Sequence, residues 1–250
     1  MRYWLVMPAA GTGQRFGAPT PKQYAPLEGR TVIEWALAPF LEDPRCMQAI
    51  VALAPDDEQW PRIAARVGAR ARGAPAQAAV RITAGGAQRS QSVRSALAAL
   101  AGTAAAEEWV LVHDAARPCL ASTDLGLLLR RLEAHPVGGL LATPAADTLK
   151  RAQGAESAPE VAQTVDRSGF WRALTPQMFR YGRLCAALDQ AHAAGRFPTD
   201  EAQALEWLGE HPGLIEGSAS NLKITTSDDL LLAAAILRSR SAPGGAGDGA

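Results

Sequence analysis

The chain has 250 residues, 48% of them hydrophobic and 20% charged, which is the composition of a globular protein with a sizeable core. Its 25 basic and 25 acidic residues cancel, so we expect no general affinity for nucleic acid or membrane surfaces, although a local basic site for a small anion is compatible with this balance. We also expect no membrane span, because no apolar run approaches roughly 18 residues, and no signal peptide, because the short apolar start of the chain meets Pro8 at once. Three widely spaced cysteines, Cys46, Cys119 and Cys185, favour neither a disulfide framework nor a zinc site, and we predict a reduced, cytoplasmic protein.

Short runs rich in Val, Ile and Leu alternate with longer helical patterns as far as residue 142. Such alternation implies right-handed crossovers between parallel strands that are covered on both faces. We therefore predict an α/β fold, a Rossmann-like and mainly parallel sheet with helices on both faces. The predicted strands cover residues 4–7, 49–53, 80–83, 109–112 and 139–142, and the predicted helices cover residues 31–41, 58–67, 89–100 and 122–134.

The alternation breaks after residue 142. Two β-like pieces, 147–151 and 161–166, flank a polar stretch rich in Gly and Pro, which predicts an excursion from the main sheet in the form of a hairpin arm. Helical patterns then return at 180–194 and 200–208.

The last part of the chain combines a predicted strand pair, 214–216 and 221–225, with a clearly signalled final helix. Thr226 or Ser227 can cap this helix, and the two aspartates that follow favour its positive end. We interpret residues 1–240 as a single domain, 241–250 as a disordered tail and 68–79 as a surface loop.

The first predicted strand runs into a glycine-rich loop, PAAGTGQRFG, at residues 8–17. Its GxGxxxG spacing matches neither the dinucleotide fingerprint nor a P-loop, and glycines alone fit a tight strand-to-helix turn equally well. Arg15 lies in the loop and Lys22 follows it, and either cation alone is compatible with a solvated surface charge. Together with the glycines, however, they suit a polyphosphate, whose charge rises in the transition state of phosphoryl transfer.

Two further loops follow predicted strands, where open α/β sheets bind their ligands. Gly86 ends a glycine pair that opens a helix, with Ser92 in its first turns, although a plain turn explains this pattern as well. Asp114 and Arg117 follow the fourth strand, and they can meet a ribose, a metal–phosphate complex or each other in an internal bridge. We expect His113 to be a packing or loop residue, since no nucleophile–base set accompanies it.

Eight motifs follow one another in a fixed order from about Tyr3 to Leu237: PAAGxGxRxG, PKQY, GGxxRxxSV, HDAARP, DTxKR, TVDRxxxWxxxTPQ, TDEAxAxE and NxKxT. The first motif is common among nucleotidyltransferases, whereas the fourth, sixth and seventh are specific in combination. Together they resemble the 2-C-methyl-D-erythritol 4-phosphate cytidylyltransferase family. The resemblance implies the nucleotide-diphospho-sugar transferase type of fold, with residues 143–169 as an arm that embraces a second subunit. It also implies transfer of the cytidylyl group of CTP to methylerythritol phosphate with Mg²⁺.

The resemblance further implies residue roles. The substrate phosphate itself attacks the α-phosphorus of CTP, so no enzyme nucleophile is required. Arg15 and Lys22 would stabilise the pentavalent phosphate, while Lys223 and Arg167, the latter donated across a homodimer, would position the sugar phosphate. Ala87 departs from the family, which often has an acidic residue there. The remaining implied contacts are Ala9, Ala10, Gly11, Gly86 and Ser92 to the cytidine, Asp114 and Arg117 to ribose, metal and phosphate, and Thr148, Thr175 and Thr199 near the sugar phosphate.

Mg²⁺ would be held mainly by the CTP phosphates, with Asp114 as a candidate ligand. Alternative functions are a cytidylyltransferase for another polyol phosphate such as ribitol 5-phosphate, a purine sugar-nucleotide pyrophosphorylase, and an inactive nucleotide-binding relative. A nicotinamide dehydrogenase is disfavoured, because the loop lacks the third glycine of GxGxxG.

Overall fold

The computed structural model describes residues 1–11, 20–73, 79–155 and 157–241. Helices cover both faces of a central sheet, and short strands and a hairpin lie outside it. The strands are β1 (Tyr3–Pro8), β2 (Pro26–Leu27), β3 (Arg30–Thr31), β4 (Cys46–Leu53), β5 (Ala79–Ala84), β6 (Trp109–Val112), β7 (Gly138–Pro144), β8 (Leu149–Ala155), β9 (Ala158–Val165), β10 (Trp171–Arg180) and β11 (Gly213–Glu216). The helices are α1 (Val32–Leu41), α2 (Trp60–Gly73), α3 (Arg89–Ala98), α4 (Ser122–Leu132), α5 (Tyr181–Ala193), α6 (Glu201–Glu206) and α7 (Ser227–Ser241).

Seven strands form the central sheet in the order β11-β7-β10-β6-β1-β4-β5. The pairs β1–β4, β1–β6, β4–β5 and β7–β11 are parallel, and β10 runs antiparallel to both of its neighbours. The predicted mainly parallel α/β fold is therefore confirmed.

Successive side chains of a strand point to opposite faces of the sheet, and helices bury both faces. Along β1, Tyr3, Leu5 and Met7 join a core cluster with residues of α1, α2 and α4. Trp4 and Val6 point the other way, into a second cluster with α3, α5 and α6. This double burial explains why the strands read as continuous apolar runs rather than alternating ones.

A third, smaller apolar cluster lies under α7. Ile224 is fully buried in it, and its backbone N–H donates to the carbonyl of Ala116 at 2.8 Å. The segment before α7 is thereby fixed against the loop that follows β6, and this contact places Lys223 beside that loop.

The largest departure from the predicted elements is β10, a ten-residue strand that periodicity alone did not indicate. Pro176 interrupts its pattern, and the register with β7 shifts between Ala173 and Gln177. Proline removes a ladder donor and is tolerated in a strand at such an irregularity. The predicted strand at 221–225 is wrong, since that segment forms no strand and β11 pairs with β7 instead.

The predicted loop at 68–79 is wrong at both ends, because α2 continues to Gly73 and β5 begins at Ala79, while residues 74–78 lie outside the described residues. Alanine and arginine are strong helix formers, and they outweigh the single Gly68. Ser241, the first residue of the tail predicted at 241–250, ends α7 instead, and residues 242–250 lie outside the described residues. Within the described ranges, no helix combines the length and the apolar composition of a membrane span.

The hairpin predicted after residue 142 is present. Strands β8 and β9 pair with each other in an antiparallel register from Leu149↔Val165 to Ala155↔Ala158. In the described part of the chain neither strand joins the central sheet, and nearly all of their side chains are exposed.

Candidate active site

An open cleft of about 690 Å³ lies beyond the carboxyl ends of β1, β5 and β6. This is the edge at which open α/β sheets bind ligands, and the volume suits a nucleotide-sized molecule. The cleft is lined by Pro8, Ala9, Ala10, Gly11, Lys22, Gln23, Gly86, Ala87, Gln88, Arg89, Ser92, Asp114, Ala115, Ala116, Lys223 and Thr225.

The first wall of the cleft is the backbone that follows β1. The buried Gln23 amide donates to the carbonyl of Ala9 at 2.7 Å and to that of Gly11 at 3.1 Å. These two hydrogen bonds fix the backbone of Ala9 and Gly11 close to Lys22, which precedes Gln23. Gln23 belongs to the PKQY motif, but the sequence did not reveal this role.

The second wall is the turn from β5 into α3. A Cβ at Gly85 would lie 2.5 Å from Ala10 Cβ and 2.9 Å from Ser92 Oγ, so only glycine lets the two loops approach this closely. The Ser92 hydroxyl accepts from the backbone N–H of Gly86 at 3.1 Å and also lies 3.3 Å from the Gly86 carbonyl. Ser92 therefore shapes the turn as well as lining the cleft.

Asp114 is the centre of the charged part of the site. Its Oδ1 accepts from Arg89 Nε at 2.9 Å, and its Oδ2 lies 2.8 Å from Lys223 Nζ. Arg117 Nε is 3.7 Å from Oδ2. Burial alone would raise the pKa of the Asp114 carboxyl, but the three cations hold it well below its ordinary range, so Asp114 is ionised throughout the neutral range.

Arg89 also reaches a second carboxylate. Its Nη1 donates to Glu201 Oε1 at 2.6 Å and its Nη2 donates to Glu201 Oε2 at 3.1 Å. Burial raises the pKa of the Glu201 carboxyl, and the bidentate contact with Arg89 opposes that rise. Sequence reasoning gave neither residue a role, although the arginine of GGxxRxxSV and the glutamate of TDEA were visible signals.

Arg117 and Thr175 face the interior rather than the cleft. Arg117 Nη1 donates to the Asn221 carbonyl at 2.7 Å, which favours the internal-bridge interpretation of this arginine. The Thr175 hydroxyl accepts from the Asp114 N–H at 3.1 Å and lies 2.9 Å from His113 Nδ1. His113 is fully buried and burial lowers its pKa to about 4, so it is a neutral packing residue, as its sequence context suggested.

The structure brings eight of the predicted site residues to one cleft and leaves the others elsewhere. Thr148, Arg167 and Thr199 are exposed and do not line it in the single chain. Arg15 lies outside the described residues. The eight that line the cleft are Ala9, Ala10, Gly11, Lys22, Gly86, Ser92, Asp114 and Lys223.

The donor set does not fit a metal ion held by the protein. Among residues 1–11, 20–73, 79–155 and 157–241, no group of three or more His, Cys, Asp or Glu side chains is arranged to bind one. Both Asp114 oxygens already contact cations, and three positive groups around it would repel a dication. The prediction of Asp114 as a magnesium ligand does not agree with this arrangement.

On two walls of the cleft the backbone itself forms the lining, which suits a flat base. Lys22 and Lys223 also line the cleft, which suits a chain of phosphates. The fold and the site therefore define a nucleotide-binding α/β protein. The family model described as 2-C-methyl-D-erythritol 4-phosphate cytidylyltransferase matches residues 3–239, and the chain belongs to that family.

Individual relatives agree with this assignment over nearly the whole chain. A 2-C-methyl-D-erythritol 4-phosphate cytidylyltransferase from Ectopseudomonas mendocina (strain ymp) is 52% identical over 230 residues, 92% of this chain and 93% of that protein. One from Halorhodospira halophila is 50% identical over 242 residues, 96% of each.

Solved structures are similar as well. A crystal structure of a 4-diphosphocytidyl-2C-methyl-D-erythritol synthase has a TM-score of 0.76 at 38% identity, with 94% of this chain and 98% of that chain covered. The 2-C-methyl-D-erythritol 4-phosphate cytidylyltransferase from Thermus thermophilus has a TM-score of 0.74 at 31% identity and coverages of 95% and 100%.

Proposed function

We propose that this chain transfers the cytidylyl group of CTP to 2-C-methyl-D-erythritol 4-phosphate, a step of isoprenoid biosynthesis by the non-mevalonate pathway. A phosphate oxygen of the sugar attacks the α-phosphorus of CTP, and the bond from that phosphorus to the bridging oxygen breaks. The products are 4-diphosphocytidyl-2-C-methyl-D-erythritol and pyrophosphate. The family match over residues 3–239 is the observation that carries this proposal.

The charge of the site supports a reaction between two phosphates. Attack of one anion on another is opposed by repulsion, so cations must meet the charge that develops on the α-phosphate. Lys22 and Lys223 both line the cleft, and Arg15 stands four positions after Gly11, another lining residue, in the sequence. We assign Lys22 and Arg15 to the pentavalent phosphate and Lys223 to the phosphate of the sugar.

The base contacts come from backbone and small side chains in this proposal. Ala9, Ala10 and Gly11 present close backbone on one side of the cleft, and Gly86 presents it on the other. Ala87 carries only a methyl group where relatives often have a carboxylate, so its contribution to cytosine binding is through the main chain.

Magnesium belongs to the nucleotide in this proposal. The CTP phosphates would hold Mg²⁺ as part of the substrate complex, and the ion would supply positive charge that offsets the charge of the phosphates.

A homodimer completes the site in this proposal. The β8–β9 hairpin is exposed, and a two-stranded hairpin is at best marginally stable in water unless it packs on something. A second copy of the chain is the partner that we assign to it. Arg167 follows β9, is exposed in the single chain and would reach the partner's cleft.

The free thiols of Cys46, Cys119 and Cys185 suit a cytoplasmic location.

The test is pyrophosphate release from CTP and Mg²⁺, with methylerythritol phosphate as acceptor and ribitol 5-phosphate as the matched control. We expect release only with methylerythritol phosphate. Release with ribitol phosphate instead would keep the cytidylyl chemistry and change the acceptor. No release with either acceptor, from folded protein that binds CTP, would identify an inactive nucleotide-binding relative.

A further inference from the structure

A chain of alternating charges runs from the interior of the protein to the cleft. It starts at Glu201, which is 1% exposed, continues through Arg89 and Asp114, and ends at Lys223. The consecutive contacts measure 2.6, 2.9 and 2.8 Å between charged atoms. Only Lys223, whose side chain is 40% exposed, opens widely to the cleft.

The four members come from four separate segments. Glu201 is the first residue of α6, Arg89 is the first residue of α3, Asp114 follows β6, and Lys223 precedes α7. The ion pairs therefore tie together segments that are up to 134 residues apart in sequence, from Arg89 to Lys223. Burying the carboxylates of Glu201 and Asp114 carries a desolvation cost that an apolar contact would avoid, so a role beyond stability is expected for this set of charges.

The hydrogen bonds of Arg89 are divided in a particular way. Two of its nitrogens, Nη1 and Nη2, are directed to Glu201, and Nε alone donates to Asp114. Asp114 Oδ2 is thereby left for Lys223. If Glu201 carried no charge, Arg89 would be free to turn both edges of its guanidinium to Asp114 and to compete with the lysine for that carboxylate.

We propose that Arg89 and Glu201 are positioning residues for the transfer reaction, which act through Asp114 to hold the ammonium of Lys223 where the acceptor phosphate binds. This inference rests on the proposed function, because it concerns the sugar-phosphate side of the same cleft. Asp114 is shared among Arg89, Arg117 and Lys223, so its negative charge neutralises that of the lysine only in part. The lysine keeps positive potential for the incoming phosphate and has a fixed position at the same time.

Steady-state kinetics of Glu201→Gln test this chain of ion pairs from Glu201 through Arg89 and Asp114 to Lys223, which we call the relay. We expect kcat/KM for methylerythritol phosphate to fall by about tenfold, as for a misplaced reacting group, while KM for CTP stays within about twofold. Arg89→Lys keeps the charge but lacks the planar guanidinium that bonds Glu201 through two nitrogens and Asp114 through a third, so it should show the same pattern. A rise in KM for CTP as large as the fall in kcat/KM for methylerythritol phosphate would overturn the proposal.

A double-mutant cycle separates positioning from general loss of structure. Glu201 and Lys223 stand at opposite ends of the relay, with Arg89 and Asp114 between them. In a Lys223→Gln background, Glu201→Gln should therefore reduce kcat/KM by no more than about twofold further. If the two losses multiply as for independent sites, the relay is wrong.

Asp43→Asn is the matched control. Arg45 donates two hydrogen bonds to the buried Asp43, so this variant also breaks a bidentate arginine–carboxylate pair, but far from the cleft lining. It should lower the melting temperature without a selective effect on either substrate. A selective loss for methylerythritol phosphate in this control would mean that the kinetic pattern does not report on the relay.

Amine labelling gives a readout that needs no turnover. The chain has three lysines, Lys22, Lys150 and Lys223, and Lys150 on the hairpin serves as the internal reference. With acetic anhydride and peptide mass spectrometry, the reactivity of Lys223 relative to Lys150 should rise about threefold or more in folded Glu201→Gln, because its ion pair is weakened. An unchanged ratio in both Glu201→Gln and Arg89→Lys would overturn the relay even if the wild-type enzyme is active. A raised ratio in these variants, from a wild-type protein without turnover, would instead refute only the proposed reaction.

Discussion

Lys22 owes its position to its immediate neighbours. It opens a short 3-10 turn, Lys22–Tyr24, in which Gln23 bonds to two loop carbonyls and the Tyr24 hydroxyl donates to Asp57 Oδ2 at 2.7 Å. Both anchors are buried, so the backbone of Lys22 is fixed at the rim of the cleft. A preorganised cation lowers the barrier more than a mobile one, because it requires no reorganisation during the reaction.

Lys22→Ala should lower kcat by about 10² to 10³, the usual loss when one donor to a developing charge is removed. Pyrophosphate release under saturating CTP and methylerythritol phosphate measures this effect. Arg62→Ala, which removes an exposed cation of α2, is the control and should retain wild-type activity. A Lys22→Ala enzyme within about threefold of wild type would remove Lys22 from this role.

His113 makes the stability of the protein depend on pH. Its pKa is lowered by burial to about 4, whereas an unfolded histidine has a pKa of about 6.5. As the pH falls below 6.5, the unfolded chain takes up a proton that the folded chain does not accept until about pH 4. Stability is therefore lost across this interval, and is fully present above it.

Between pH 7 and pH 5 this single group should lower the free energy of unfolding by about 2 kcal/mol. Urea unfolding at the two pH values measures the change. Glutamine does not titrate, so the free energy of unfolding of His113→Gln should fall between pH 7 and pH 5 by about 2 kcal/mol less than that of the wild type. Identical losses in both proteins would show that His113 is not the group responsible.

At the scale of elements, the cleft depends on the close approach of the β5–α3 turn to the loop after β1. The backbone N–H of Gly85 donates to the Leu53 carbonyl at 2.7 Å, which extends the β4–β5 pairing into the turn. A Cβ at Gly85 would collide with Ala10 from one side and Ser92 from the other. A side chain at this position would therefore separate the two walls that we assign to the nucleotide.

Gly85→Ala should destabilise the protein by about 1 to 3 kcal/mol, as overpacking of a filled site does, and should weaken CTP binding. Gly126→Ala is its control. A Cβ at Gly126, inside α4, meets only the end of the Arg130 side chain at 3.3 Å, so alanine should gain up to about 1 kcal/mol from helix propensity. Chemical denaturation and calorimetric titration with CTP measure both effects. Unaltered CTP affinity in Gly85→Ala would contradict the placement of the base at this turn.

At the scale of the whole molecule, the hairpin carries apolar surface that the single chain leaves uncovered. Val161 is 63% exposed on β9, and Phe170 and Trp171, just beyond the hairpin, are 50% and 37% exposed. Burial of such side chains is the main driving force for association, which favours the homodimer in which Arg167 reaches the partner's cleft.

Mixing two inactive variants tests this arrangement. Lys22→Ala and Arg167→Ala homodimers should each be nearly inactive, but a mixed dimer contains one cleft with Lys22 intact and Arg167 supplied by the other chain. After subunit exchange, activity should return to about a quarter of the wild-type level, since half of the dimers each have one complete site of two. Sedimentation should show a dimer at micromolar concentration. No recovery from exchanged dimers would place Arg167 in its own subunit's site, and a monomer would refute the dimer.

The sequence by itself determined the α/β class, most of the strands of the central sheet and the loops that line the cleft. These features depend on local signals, namely apolar runs of fixed length, glycines at strand ends and helix caps, which need no knowledge of distant contacts. Local signals failed where distant contacts decide the outcome. Strand β10 forms despite Pro176 because β6 and β7 pair with it on both sides, and residues 221–225 remain outside any strand because Ile224 is held by Ala116 instead.

The tertiary structure alone decided which of the candidate residues share a site. Lys22, Asp114 and Lys223 meet at the cleft although some 200 residues separate the first from the last, whereas Arg117 and Thr175 turn inward to hydrogen-bond partners there. Arg89 and Glu201 acquire their roles from each other, although 112 residues separate them in sequence. Spacing along the chain specifies which groups a segment carries, but the direction and partner of a buried charge follow from the packing of segments that fold against one another.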